Sequence, residues 1–497
     1  MSEPGAAPAV AETHISLVFF TADRAFKLLK PVRTSFLDHT DPADRMRAID
    51  RERRLNARLA PDVYLGTADI VENHDVVDRM LVMRRMPADR RLSTLLRDGV
   101  PRNGRATNGD LEPLRAVARA VASFHARVGP HPDVTLMASA DGLGSLWESS
   151  FADLEQDIGE VISVADFERA RSLVRTWLAH HAELFDRRRA DGWVRDGHGD
   201  LTAEDIFVLE DGPRILDCLA FDDEMRICDV LGDIGFLVMD VHRLAGPGAA
   251  RRLMDWYTEF TGEHHPSSLA HHWVAYRAHV RAKIEMIRHR QGVADAGAAA
   301  REYHDLALHH LERARLRVVV VGGGPGSGKS TLAHAVAART GWFVLGSDEL
   351  RKDLAGIDHR HRTGDAPGEG LYSDETKAAT YAELVRRAGR LLAAGESVIL
   401  DASFTDRAHR RAAADVAERH GASFIEIECH VDADVVRHRI VERQRLDTDA
   451  SDADTEIIEH LAIRHDPWPT ATAVDTSGSV DDAVARVLGV ALPVPAS

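Results

Sequence analysis

The chain has 497 residues, 28% of them charged and 44% hydrophobic, and a net charge of −17, which is length enough for two or three domains with separate cores. Acid excess on both sides of residue 314 argues against sequence-blind binding to nucleic acid or to an anionic membrane, and runs such as 17–20 and 318–321 are too short to span a bilayer. Three dispersed cysteines (Cys218, Cys228, Cys429) and a start without a basic region and apolar run give the expectation of a cytoplasmic protein with free thiols and no signal peptide.

In chain order, residues 1–12 are Ala/Pro/Glu-rich and read as a flexible tail. His14–Phe20 and Ala25–Lys30 alternate about a turn at 21–24, as in a hairpin. Pro42–Leu59 reads as a charged helix and Val76–Met86 as a strand running into Pro87, followed by a Gly/Asn/Arg-rich loop over 98–110. Helical periodicity marks Leu111–Val128, Ser150–Leu154 onward, Asp166–Arg188, Ala249–Phe260 and Leu269–Arg290, while 198–222 reads as loop and short strands. After a last helix or linker at Glu302–Arg315, strands (317–321, 342–345, 397–401, 423–429) alternate with helices (332–339, 376–394, 408–420, 435–445), which predicts a parallel sheet with helices on both faces. Asp447–Asp454 is an acidic loop, and no internal repeat is seen.

Two stretches carry chemistry. His198-Gly199-Asp200 is followed by Asp205 and by Ile215-Leu216-Asp217, three carboxylates in 18 residues. Asp200 is placed to take a proton from a hydroxyl, and Asp205 and Asp217 to hold Mg²⁺. Only six of the 62 basic residues are lysines, which singles out Lys27 on its strand as a phosphate-pairing group, with Glu52 on the next helix as partner. The alternative is that Lys27 and Lys30 are edge-strand charges. Leu81–Pro87, centred on Met83, is a candidate adenine-holding segment, and Asp233 is a candidate brace for the 198–200 loop.

The second stretch is Gly323-Gly324-Pro325-Gly326-Ser327-Gly328-Lys329-Ser330-Thr331, a complete G-x-x-x-x-G-K-S loop between a buried strand and a helix. Its glycines let successive N–H groups face a phosphate, Lys329 reaches the β/γ-phosphates, and Ser330 with Asp401 at the end of 398–401 serves Mg²⁺. Asp348 is a candidate base and Arg351 a phosphate or substrate clamp; the alternative is that Asp348 only N-caps a helix beginning at Glu349. Arg439 and Arg443, four apart, suit a lid over the transferring phosphate or a solvated basic face. The paired histidines (180–181, 264–265, 271–272, 309–310) show no zinc spacing and read as surface residues.

On the 198–217 pattern and the Lys27/Glu52 pair, residues 13–312 resemble the aminoglycoside phosphotransferase family, relatives of protein kinases. Thr202 and Asp205 stand where that family usually has His and Asn. On the phosphate loop, 347–351, 398–402 and the arginine-bearing helix, residues 315–490 resemble P-loop kinases of the zeta-toxin, gluconate-kinase and polynucleotide-kinase type. The whole resembles bacterial fusions of the two. The resemblance implies an α+β protein-kinase-like domain (small lobe about 13–100, large lobe about 110–312) followed by an α/β P-loop NTPase domain with a parallel sheet. It further implies two ATP- and Mg²⁺-dependent sites, each phosphorylating a hydroxyl of a small polar molecule. Two other readings stay open: a degenerate kinase-like sensor, signalled by Thr202 and Asp205, that governs the P-loop kinase, and a polynucleotide or sugar-nucleotide kinase. Acceptor and oligomeric state are not encoded in any motif.

Overall fold

The structure, a computed structural model, describes residues 9–33, 37–99, 107, 109–133, 135–358, 370–432, 434–436, 439 and 466–492. The chain divides into two compact units. One comprises Met1–Arg171, Phe185–His265 and Ala270–His310; the other comprises Ser172–Leu184, Pro266–Leu269 and Leu311–Ser497.

The first unit opens with five antiparallel strands, β1 (Ala9–Glu12), β2 (Ser16–Phe20), β3 (Arg24–Leu29), β4 (Tyr64–Glu72) and β5 (Asp75–Arg84), in the order β1-β2-β3-β5-β4. Residues 9–12 therefore correct the tail expectation: they pair with 17–20 as an exposed edge strand. The same order corrects the edge-charge alternative for Lys27, because β3 is the central strand. Helix α1 (Pro42–Asn56) starts where Asp41 accepts from the Ala43 N–H and Pro42 presets φ. It packs Ile49 with Leu29, Val63, Tyr64 and Leu81 in the core of this small lobe.

Helices follow: α2 (Leu92–Gly99), α3 (Glu112–Val128), α4 (Ala140–Leu154), α5 (Val164–His180) and α6 (Ala182–Ala190). The single helix expected over 166–188 breaks at His181. Short strands β6 (Val194–Asp196), β7 (Ile206–Leu209), β8 (Gly212–Ile215) and β9 (Ile227–Asp229), with the one-turn α7 (Asp223–Arg226), carry the loops between 196 and 222. Then come α8 (Val230–Thr261), α9 (Ser267–Arg290) and α10 (Ala296–Ala314). The helix expected at 249–260 is the second half of α8, which kinks at Gly246 (φ 86°) just before Pro247, because proline cannot supply the N–H that a straight helix needs there. Trp147, Phe151, Phe167, Tyr257 and Trp273 fill the core of this large lobe. The first unit is thus an α+β, protein-kinase-like fold.

The second unit is an all-parallel sheet, β10 (Arg317–Gly322), β11 (Phe343–Gly346), β12 (Val398–Asp401), β13 (Ser423–His430) and β14 (Thr472–Asp475), ordered β11-β12-β10-β13-β14. Because strand side chains alternate, Val318 and Val320 join the core under α13 (Asp374–Ala393) and α14 (Arg407–Arg419), while Val319 and Val321 join that under α11 (Lys329–Thr340) and α15 (Val480–Ala491). Helix α12 (Ser347–Ala355) follows β11. This is the expected α/β P-loop fold; β14 and α15 carried no sequence signal that we read. In the segments Ser172–Leu184 and Pro266–Leu269 of this unit, Ser268 accepts from the Trp177 indole (2.5 Å), donates to the Ala314 carbonyl (2.5 Å) and gives its N–H to the carbonyl of Gly395, in the turn after α13 (3.2 Å).

A Cβ at Gly322, the last residue of β10, would sit 2.3 Å from Cζ3 of buried Trp468, whose indole donates to Glu426 and lies under the Arg410 guanidinium (4.8 Å). Gly322→Ala is therefore expected to destabilise the protein by about 1–3 kcal/mol through overpacking, read as a lower unfolding midpoint in urea. Among the described residues no helix is long and apolar enough to cross a membrane, and all three cysteines are free and buried.

Candidate active sites

In the first unit a cleft of about 1150 Å³ is lined by Lys27, Glu52, Met83, Asp200, Asp205 and Asp217, so that side chains from four separate stretches of sequence share one cavity. Lys27 donates to Glu52 Oε1 (2.8 Å) and to Asp217 Oδ1 (3.2 Å). Burial opposes its charge, but the Asp217 and Glu52 carboxylates outweigh burial and hold the ammonium well above its ordinary range. Lys30, by contrast, is tied to Glu12 and the Thr13 carbonyl on the exposed side.

Asp217 itself sits at φ 61°, a conformation that costs energy for a non-glycine residue. The surroundings fix it there. Its N–H donates to the Tyr64 hydroxyl (3.0 Å), the Cys218 N–H to Asn56 Oδ1 (2.8 Å), and the Leu216 N–H to the Asp205 carbonyl (2.9 Å). His198 Nε2 lies 2.8 Å from the Leu216 carbonyl, which can only accept, so this nitrogen carries the proton. Lys27 holds the Asp217 carboxyl below its usual range.

The 198–200 loop hangs on Asp233, which accepts from the N–H groups of His198 (2.7 Å) and Gly199 (2.8 Å) and lies 3.0 Å from His125 Nε2. Burial would raise this carboxyl, but His125 and the loop amides hold it far below the ordinary value. Gly199 has φ 88°, and a Cβ there would meet Leu219 Cβ at 2.9 Å. Arg58 ties the preceding turn to α1's end by donating to the carbonyls of Asp196 (3.1 Å) and Gly197 (2.9 Å). Asp200 reaches the cleft in an ion pair with Arg281 (3.1 Å). Thr202 donates to Asp205 Oδ2 (2.7 Å), yet burial and then the Asp217 charge push the Asp205 carboxyl up to about 8. A buried Asp205 carboxyl whose ionisation is opposed by the Asp217 charge gains from a divalent cation shared with Asp217, so Asp205 and Asp217 fit Mg²⁺. In the Leu81–Pro87 segment, the N–H groups of Arg84 and Arg85 are spent on the carbonyls of Val63 (2.8 Å) and Asp23 (2.9 Å), while Met83 packs against the small-lobe core at the cleft wall.

In the second unit the phosphate loop leaves β10 and enters α11 through Gly328 (φ 82°). Gly323 (φ 145°) leaves no room for a side chain: a Cβ would stand 2.6 Å from Ser327 Oγ and 3.0 Å from the Cys429 carbonyl. Gly324 is exposed and open, Gly326 (φ 74°) and Ser327 are buried, Lys329 is half-buried, and Ser330 and Thr331 are exposed at the start of α11. Asp401, at the end of β12 and in register with Val321, is buried with Oδ1 unpaired. Burial raises its pKa, against the Lys329 charge and the Ser330 hydroxyl. A buried, unpaired carboxylate oxygen beside Ser330 fits Mg²⁺ or its bound water.

Asp348 lies in the first turn of α12, paired with Arg351 (3.1 Å). The N-cap is Gly346 without a side-chain bond, which corrects the capping alternative for Asp348. Arg439 donates to the carbonyls of Gly326 (3.4 Å) and Thr476 (2.5 Å), so it grips the phosphate loop rather than solvent, which corrects the solvated-face alternative at this residue. Arg443, Arg437, Arg445 and the acidic loop 447–454 lie outside the described residues.

Sequence reasoning did not single out Thr476, which donates to the Ser327 carbonyl (2.5 Å), nor Ser403, whose carbonyl takes the Gly323 N–H (3.2 Å) and whose hydroxyl is 3.2 Å from Tyr381 Oη. It also missed Tyr64, Asn56, His125 and Arg281. Each acts from a distant part of the chain, and a short pattern gives no signal for such partners. The paired histidines need correction too: His181, His265, His272 and His310 are buried.

Against known proteins, 481 residues align at 36% identity, covering 96% of this chain and 94% of the other, with the uncharacterized protein Rv2004c of Mycobacterium tuberculosis. The chain belongs to that family. Residues 318–467 match the AAA domain model. Among solved structures, a gluconokinase from Sinorhizobium meliloti is similar at 19% identity over 36% of this chain and 93% of its own, with a TM-score of 0.26. The GDP and kanamycin complex of APH(2″)-IIia is similar at 12% identity over 61% of this chain and 94% of its own, with a TM-score of 0.39.

Proposed function

We propose that the protein is a bifunctional ATP-dependent kinase, with domains over about 13–312 and 315–490 that each move the γ-phosphate of ATP to a hydroxyl of a small polar molecule. The observation that carries this reading is the convergence in one cleft of Lys27, Glu52, Asp200, Asp205 and Asp217, in a chain that also holds a complete phosphate loop. In the first unit Glu52 holds Lys27 toward the α/β-phosphates, and Met83 lines the adenine end. Asp200 takes the proton of the acceptor hydroxyl as its oxygen bonds to the γ-phosphorus and the bond to the β,γ-bridging oxygen breaks, releasing ADP. In the second unit Asp348 takes the equivalent proton. Backbone amides of the phosphate loop other than those of Gly323 and Pro325, together with Lys329, Arg351, Arg439 and Arg443, bind and orient phosphate oxygens. Asp205 and Asp217 in one unit, and Ser330 and Asp401 in the other, would hold Mg²⁺, which would supply neutralisation of phosphate charge.

Two features favour a second reading, in which the first unit only senses nucleotide: Arg281 occupies Asp200, and Thr202 occupies Asp205. Calorimetric titration of the full chain with a non-hydrolysable Mg·ATP analogue separates them. Two equivalents bound by wild type and one by Lys329→Ala are expected. One falling to none would leave the first unit without nucleotide and overturn the bifunctional reading. Phosphorylation of a 5′-hydroxyl oligonucleotide with a salt-sensitive KM would instead point to a polynucleotide kinase.

A further inference from the structure

Outside both candidate sites, helices α8, α9 and α10 of the first unit bring four histidines together. His242 lies on α8, four residues before the Gly246 kink; His271 is near the start of α9; His309 and His310 are adjacent on α10. One ring nitrogen from each of His242, His309 and His310 lies within 4.8 Å of the others. His242 Nδ1 is 2.9 Å from His310 Nε2, and the other nitrogen of His310, Nδ1, is 2.9 Å from His271 Nδ1. His310 is buried, His242 half-buried and His309 exposed, so the group is walled on one side and open to solvent on the other.

We propose that His242, His309 and His310 bind one divalent transition-metal ion, zinc being the reference case, and that His271 orients His310 from behind. Zn–N bonds of about 2.0–2.1 Å put neighbouring ligand nitrogens of a tetrahedral ion roughly 3.3 Å apart, so His242 and His310 need separate by only a few tenths of an ångström. An ion at that point would take the place of the hydrogen bond between the two rings. His310 then ligates through Nε2 while its Nδ1–H donates to His271, the outer hydrogen bond that fixes tautomer and ring orientation in histidine-ligated sites. An all-imidazole set with no carboxylate suits zinc, nickel, copper or cobalt and disfavours magnesium and calcium, which separates this site chemically from the carboxylate-bearing candidate sites of the two units. Three protein ligands leave a fourth position open on the His309 side. Among the described residues no other group of three His, Cys, Asp or Glu side chains gathers its ligand atoms this closely. Linear spacing hides the site, because its ligands are 67 residues apart in sequence between His242 and His309 and meet only through helix packing.

The test uses the chelator-stripped full chain in saturating Mg²⁺, which fills carboxylate sites, titrated with Co²⁺ and followed by visible absorption, then competed with Zn²⁺. One Co²⁺ per chain, displaced by Zn²⁺, is expected, with affinity falling at least about tenfold in His309→Asn and in His242→Gln, and by roughly tenfold in His271→Gln. Zn²⁺ should also raise the melting temperature of wild type and leave that of His309→Asn unchanged. Absence of saturable Co²⁺ binding overturns the proposal, as does binding that survives unchanged in His309→Asn; either result means a hydrogen-bonded histidine chain without metal. His309 is exposed, so its variant folds and decides the matter even if His242→Gln does not.

Discussion

Lys329→Ala is expected to lower phosphoryl transfer by the P-loop unit by about a hundredfold to a thousandfold while leaving transfer by the kinase-like unit intact. Its ammonium is the one lysine charge carried by the phosphate loop, and it faces Asp401 across the entrance of α11. Removing a preorganised charge aimed at the transferring phosphoryl group costs on that scale. Lys329→Arg is expected to fail almost as badly, because a planar guanidinium cannot occupy a point-charge position hemmed by backbone amides. The assay is single-turnover ADP release with each acceptor in turn. Equal loss for both acceptors would show that the two sites do not work independently, and retention of full turnover would remove Lys329 from the chemistry.

Asp233→Ala should cost about 3–5 kcal/mol of stability, read from the urea midpoint at neutral pH, because it leaves buried His125 and two buried loop amides without their shared acceptor. The pH dependence has a definite sign. The folded carboxyl is held far below its unfolded value near 4, so its contribution is fully present above about pH 4 and fades as pH falls through and below that value. The gap between wild type and Asp233→Asn should therefore narrow on acidification. Since the 198–200 loop hangs on this carboxylate, Asp233→Asn should also lower kcat of the first unit more than it raises KM. A variant as stable as wild type at neutral pH would remove Asp233 from this bracing role.

Sequence alone determined the fold classes and pointed to the stretches that hold the candidate sites. The run 317–331 needs no partner to declare itself: a valine strand, a glycine curl and a helix start form a contiguous unit whose backbone groups do the binding. The alternation of 2- and 3.6-residue periods likewise foretold a parallel sheet after residue 315, and Asp200, Asp205 and Asp217 stood out because they lie 17 residues apart or fewer. What the tertiary structure decided is everything that joins distant segments. Only packing could show that β3 is central, so that Lys27 meets Glu52 and Asp217 instead of solvent, or that Tyr64 and Asn56 hold Asp217 in a left-handed turn. Ser403 and Thr476 reach the phosphate loop from 80 and 153 residues past Gly323. The histidines misled for the same reason: spacing along the chain reports neighbours on one element, whereas the His242–His310 contact depends on which faces of two helices are buried together, a property of the whole core and of no single stretch of sequence.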